Sequence, residues 1–112
     1  MLRDDAIRLR HMLDATQEAI SFASGKKRED LDGDRMLVLS LVKDIEIVGE
    51  AATKISEDCR REHPEIPWRN IVTMRNRLIH GYFDINLDIV WKTVAEELPP
   101  LSVHLQKAQA GP

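Results

Sequence analysis

Three features of this 112-residue chain predict an all-α fold, an antiparallel bundle of four or five helices. Apolar residues recur at three- and four-residue steps through most of the length. No stretch alternates apolar and polar positions for long enough to build a sheet. The gaps between periodic stretches are short and hold glycine, proline or charged runs, the usual helix punctuation. At this length a second core would leave each half too small to stabilise itself, so residues 1–112 are expected to form a single domain.

The first helix is expected from about Asp4 to Ser24, with Ala6, Leu9, Leu13, Ile20 and Ala23 on one side. Gly25 ends it, and Lys26-Lys27-Arg28-Glu29-Asp30 forms a charged connection. Asp34 is placed to cap the second helix by accepting a free backbone N–H. Its seam is Val38, Leu41, Ile45, Val48, Ala52, Ile55 and Cys59, which predicts one strut of about seven turns, roughly 40 Å. His63-Pro64-Glu65-Ile66-Pro67 is a rigid turn, because each residue before a proline is pushed from helical geometry.

A third helix is expected from about Trp68 to His80, with Gly81 as its stop. Asn86 can cap a fourth, whose seam is Leu87, Val90, Val94, Leu98, Leu101 and Leu105. Pro99-Pro100 removes two N–H donors from that seam and should kink or split it. Residues from Gln106 to Pro112 are expected to fray.

Net charge is −3, which argues against a broad electrostatic grip on nucleic acid. Yet the stretch from Ile66 to Tyr82 holds Arg69, Arg75 and Arg77 and no acid, a local +3 that suits a small phosphate site. Cys59 is the only cysteine, which excludes an internal disulfide and a thiolate metal cluster. No apolar run approaches the roughly 20 residues of a membrane span, and Met1-Leu2-Arg3-Asp4-Asp5 lacks a signal-peptide core. A cytoplasmic protein without a membrane partner is expected.

The inward stripe of the third helix reads Trp68, Ile71, Val72, Arg75, Leu78, Ile79 and Tyr82. Arg75 stands inside an apolar row, so it must be paired or line a cleft. It can be a structural arginine tied to Glu46 or Glu50 of the second helix, or a phosphate ligand. His80 is five residues on, about 140° away around a regular helix, so the two converge only if the helix ends and loosens near Gly81. Asn76 and His80, four apart, share a face.

These residue types suit RNA cleavage by internal transesterification. The 2′-hydroxyl loses a proton, the leaving 5′-oxygen gains one, and charge builds on the phosphorus oxygens. Imidazole serves as base or acid near neutrality. Guanidinium gives bidentate hydrogen bonds to phosphate and stays charged throughout. Asn76 can fix the imidazole tautomer or hold a ribose hydroxyl. The scheme needs neither metal nor cofactor. A single histidine per chain would need a second subunit or water as its acid–base partner.

Arg75-Asn76-x-x-x-His80-x-Tyr82 resembles the Arg-x4-His-x-Tyr signature of HepT-like toxins, members of the helical HEPN superfamily of metal-independent ribonucleases. The likeness extends to Ile45-Glu46-Ile47-Val48-Gly49-Glu50-Ala51-Ala52, Ile66-Pro67-Trp68-Arg69-Asn70-Ile71, Asp88-Ile89-Val90-Trp91 and Leu98-Pro99-Pro100-Leu101, nearly the whole chain. It implies Arg75 and His80 as the catalytic pair, with Asn76 in support. It further implies a homodimer that brings two motifs to one cleft, within a type VII toxin–antitoxin system. The implied partner is a minimal nucleotidyltransferase antitoxin, which uses ATP to attach AMP to Tyr82. A bulky anion beside Arg75 would occupy the phosphate site and repel RNA.

Each residue also has a plainer reading. Tyr82 suits a core or interface, and Glu46 and Glu50 suit a solvated face. Trp68 and Trp91 suit packing, Cys59 a buried apolar position, and His11, His63 and His104 the surface. Asp84 and Asp88 favour the start of the fourth helix. The competing function is a non-catalytic dimeric adaptor that binds nucleotide or the nucleotidyltransferase.

Overall fold

The computed structural model describes residues 1–79 and 84–110. Its two longest elements, α1 (Arg3–Ala23) and α3 (Arg35–Thr53), form the most extensive helix pair. They run antiparallel: Asp5 meets Ser56 beyond the end of α3, while Glu18 meets Asp44 further along. Gly25 takes φ +75° after α1, a left-handed conformation that glycine tolerates without a Cβ clash. The charged connection is not plain loop. It holds a turn of helix, α2 (Asp30–Gly33), and Arg28 of this connection bonds Asp32 at 3.0 Å and Asp88 at 2.6 Å.

Asp34 caps α3 as expected, accepting the Leu37 N–H at 3.0 Å. The predicted seven-turn strut, however, is two helices. α3 stops after 19 residues, about 28 Å. α4 (Glu57–Glu62) then starts from Ser56, whose hydroxyl accepts the Cys59 N–H at 3.2 Å. The break has a polar cause. Buried Asp5 accepts both the Ser56 N–H (2.9 Å) and the Ser56 hydroxyl (2.6 Å), which holds the chain out of helix there. Ile55 and Cys59 stay buried, so the seam's burial holds while its continuity does not.

The predicted third helix is also shorter and divided. α5 (Trp68–Val72) and α6 (Met74–Leu78) meet at Thr73, whose hydroxyl donates to Arg69 O at 3.1 Å. α6 ends at Leu78 rather than near His80, because Ile79 is extended and bridges Ile85. The Asn86 N–H donates to Leu78 O at 2.7 Å and closes the same junction. Trp68 and Ile71 are buried core, and the Trp68 indole N–H donates to His63 O at 3.0 Å. Tight packing brings α5 against α3 at Gly49, where an added Cβ would stand 3.3 Å from Ile71 O.

Asn86 caps α7 (Leu87–Lys92), accepting the Ile89 N–H at 3.1 Å. The double proline splits the last helix through a π turn, Thr93–Glu97, followed by α8 (Leu98–Ala110). Leu98 N–H reaches back five residues to Thr93 O, and Pro99 and Pro100 follow as the two positions that have no N–H to continue the ladder. The tail is docked rather than frayed as far as Ala110. Ala108 is buried, and the Gln109 amide donates to Ala6 O at 3.1 Å. His63 and His104 are part-buried rather than on the surface, while His11 is exposed. Among the described residues, no helix is long and apolar enough to cross a membrane.

Candidate active site

α3 presents Arg35, Leu39, Val42 and Glu46 along one stripe, the spacing of successive helical turns. Against this stripe stand Arg75 of α6 and the bridged pair Ile79 and Ile85. These seven residues line an open cavity of about 420 Å³, inside the roughly 300–1,000 Å³ range of small-molecule sites. Ile79 and Ile85 also flank in sequence the segment that carries His80 and Tyr82.

Arg75 is not buried in an apolar row. Its side chain is half exposed (52%), and its Nε lies 3.4 Å from Glu46 Oε1. It therefore satisfies both conditions the sequence set, since it is paired and it lines a cleft. Of the two acids proposed to orient it, Glu46 does so, while Glu50 is exposed with its backbone carbonyl accepting from Thr53. The acid-free stretch is acid-free only along the chain. Arg77 meets Glu97 of the π turn at 3.3 Å, which ties α6 to the last helix.

Asn76 faces elsewhere. It lines a neighbouring cavity with Arg77, Ile89, Lys92, Thr93 and Glu97, and so does not join Arg75. His80, Gly81, Tyr82 and Phe83 lie outside the described residues, as do Gly111 and Pro112. The end of α6 at Leu78 nonetheless changes the angular problem: Ile79 has φ −120° and ψ 120°, so regular helical phase no longer relates Arg75 to residue 80.

Arg35 is the residue that sequence reading missed. It is the first residue of α3, where the helix dipole disfavours a cation. A side chain set against its local preference was the available signal. Among the described residues, no three His, Cys, Asp or Glu side chains gather as a metal-holding cluster.

A cleft with two arginines, one braced by a carboxylate, suits a phosphodiester. Comparison with known proteins points the same way. The model of a family described as HepT-like, "Ribonuclease HepT-like", matches residues 12–108. The chain belongs to this HepT-like ribonuclease family. A relative from Thermococcus cleftensis named "Probable ribonuclease HepT" is 42% identical over 79 residues, covering 70% of this chain and 72% of its own. One from Caldanaerobacter subterraneus subsp. tengcongensis, named "Putative RNase", is 34% identical over 88% of each chain. Another of that name from Methanocaldococcus jannaschii is 31% identical over 93% of this chain and 95% of its own. No solved structure matches. The HepT-like assignment agrees with the all-helical architecture and with the resemblance carried by Arg75-x4-His80-x-Tyr82.

Proposed function

We infer that this chain is a metal-independent endoribonuclease and the toxin of a type VII toxin–antitoxin system. The observation that carries the reading is Arg75, a half-exposed guanidinium braced by Glu46 on the wall of an open cavity, in a chain of the HepT-like ribonuclease family. The 2′-oxygen attacks phosphorus, the bond to the 5′-oxygen breaks, and the products carry a 2′,3′-cyclic phosphate and a 5′-hydroxyl. Arg75 holds the phosphoryl oxygens as charge builds on them. His80 moves the proton at the 2′- or 5′-oxygen, and Asn76 assists if a second motif or bound RNA draws it toward the site.

A homodimer supplies the second histidine that an acid–base pair requires. A nucleotidyltransferase antitoxin silences the enzyme by attaching AMP to Tyr82, which places an anion near Arg75. The protein works in the cytoplasm, where its RNA substrate and that partner are found.

Purified, unmodified protein is incubated with single-stranded RNA beside Arg75→Ala and His80→Ala. Cleavage that ends in cyclic phosphate and is lost in both variants is expected; undiminished cleavage in both overturns the residue assignment. Coexpression with a minimal nucleotidyltransferase antitoxin should add the mass of AMP at Tyr82. Identical intact masses in active and silenced protein would refute that step. Complete absence of RNA cleavage, with binding to the nucleotidyltransferase retained in His80→Ala, would favour the non-catalytic adaptor.

A further inference from the structure

Arg35 begins the stripe whose other end is Glu46, eleven residues and three helical turns later, or about 16 Å along the axis. Because Arg75 is held at Glu46, the two arginines flank the stripe from opposite ends. Leu39 and Val42 lie between them, and Ile79 and Ile85 complete an apolar wall. Glu46 is the cavity's one carboxylate among the described residues, and it is committed to Arg75. Arg35, by contrast, makes no ion pair among the described residues, although it sits where its own helix disfavours positive charge. The cavity is thus net positive in a chain of net charge −3.

Two separated cations joined by an apolar wall match a strand that alternates phosphates with flat bases. An acidic peptide would satisfy the arginines but leave the aliphatic surface without a partner. We propose that Arg35 binds a second phosphate of the RNA strand, two or three nucleotides from the one at Arg75, with the intervening bases laid on Leu39, Val42, Ile79 and Ile85. The proposal rests on the ribonuclease reading and deepens it: the substrate is a strand of at least three phosphates, gripped at two of them. Arg35 is then a positioning residue that acts on length preference and affinity rather than on the reacting phosphorus. Aliphatic contact with a base face carries no hydrogen-bond readout, so the subsite tolerates any base.

Cleavage of a dinucleoside monophosphate and of a hexanucleotide is compared for the wild type, Arg35→Ala and Arg35→Lys. Hexanucleotide binding is also followed by anisotropy across a salt series. Arg35→Ala should raise the hexanucleotide KM about tenfold with kcat within about twofold, and shrink the preference for the longer substrate. Its log–log salt slope should fall by about 0.7, the value for one phosphate contact on a single strand. Arg35→Lys should recover most of the affinity, because a point charge still neutralises a phosphate. Equal KM and equal slope in Arg35→Ala, or a loss confined to kcat at both lengths, overturns the proposal. If the wild type binds the hexanucleotide without cutting it, the ribonuclease reading fails while the slope still judges Arg35. If it does not bind RNA, both fail.

Discussion

Arg75 Nε stands 3.4 Å from Glu46 Oε1, so one ion pair links α6 to α3 on the wall of the cavity. With the guanidinium half exposed, the pair contributes little to stability and its value lies in aim. Arg75→Ala should lower kcat for RNA by about 10²–10³ with the melting temperature nearly unchanged. Glu46→Gln, which removes the brace but not the cation, should cost about tenfold. Single-turnover cleavage beside thermal denaturation checks this; a large melting shift with intact cleavage would make Arg75 structural.

Asp5 is buried and accepts two hydrogen bonds from Ser56, the residue that also caps α4. Hydrogen bonds to a charged acceptor contribute about 1.5–3 kcal/mol. Asp5→Ala should therefore cost about 2 kcal/mol or more in urea unfolding. An unchanged urea midpoint would show that the packing of Ile55 and Cys59 alone fixes the α3–α4 break.

Asp44 is buried against Glu18 between the paired helices, with His11 and Asp14 of α1 at the same cavity and Lys43 nearby on α3. Burial first, and then the Glu18 carboxyl as hydrogen-bond partner and like charge, push its pKa up to about 7. Between the ordinary aspartate value near 4 and that point, the folded state keeps a proton the unfolded chain has lost. This contribution to stability is full below pH 4 and is lost as pH rises through 7, with a slope of at most about 1.4 kcal/mol per unit. Asp44→Asn cannot titrate and should lack this component. Superimposable stability curves for the two proteins between pH 4.5 and 7.5 would refute it.

Burial also raises the Cys59 thiol, followed by the nearby charges of Asp5 and Glu62. A thiol so placed is a poor nucleophile. Aromatic disulfide reagents should label Cys59 only as fast as the protein unfolds, whereas rapid labelling in native buffer would contradict the packing described.

Local chemistry was legible in the sequence and distant chemistry was not. Gly25, Asp34 and Asn86 act within a few residues, and each does what its type predicts. The break after Thr53 depends on Asp5, 51 residues from Ser56, and the docking of the tail depends on Ala6, 103 residues from Gln109. Neither contact leaves a trace in periodicity. At the site, the sequence showed that Arg75 needed a partner or a cleft but did not separate Glu46 from Glu50, which lie four apart on one helix. Asn76 joins the motif through its four-residue spacing from His80 and the family resemblance, yet the fold turns it to another cavity. Arg35 escaped because it lies forty residues from Arg75 in the chain, and only tertiary packing brings it to the same wall.

The π turn before Pro99-Pro100 has a reach beyond its own helix. By widening the coil ahead of the prolines it decides where Glu97 stands, and Glu97 grips Arg77 on the helix that carries Arg75. Two imino acids outside the cavity lining thereby act as a set-screw on the aim of Arg75. Engineering that straightens this coil to gain helix stability would detune the Arg75 cavity without touching one of its lining residues.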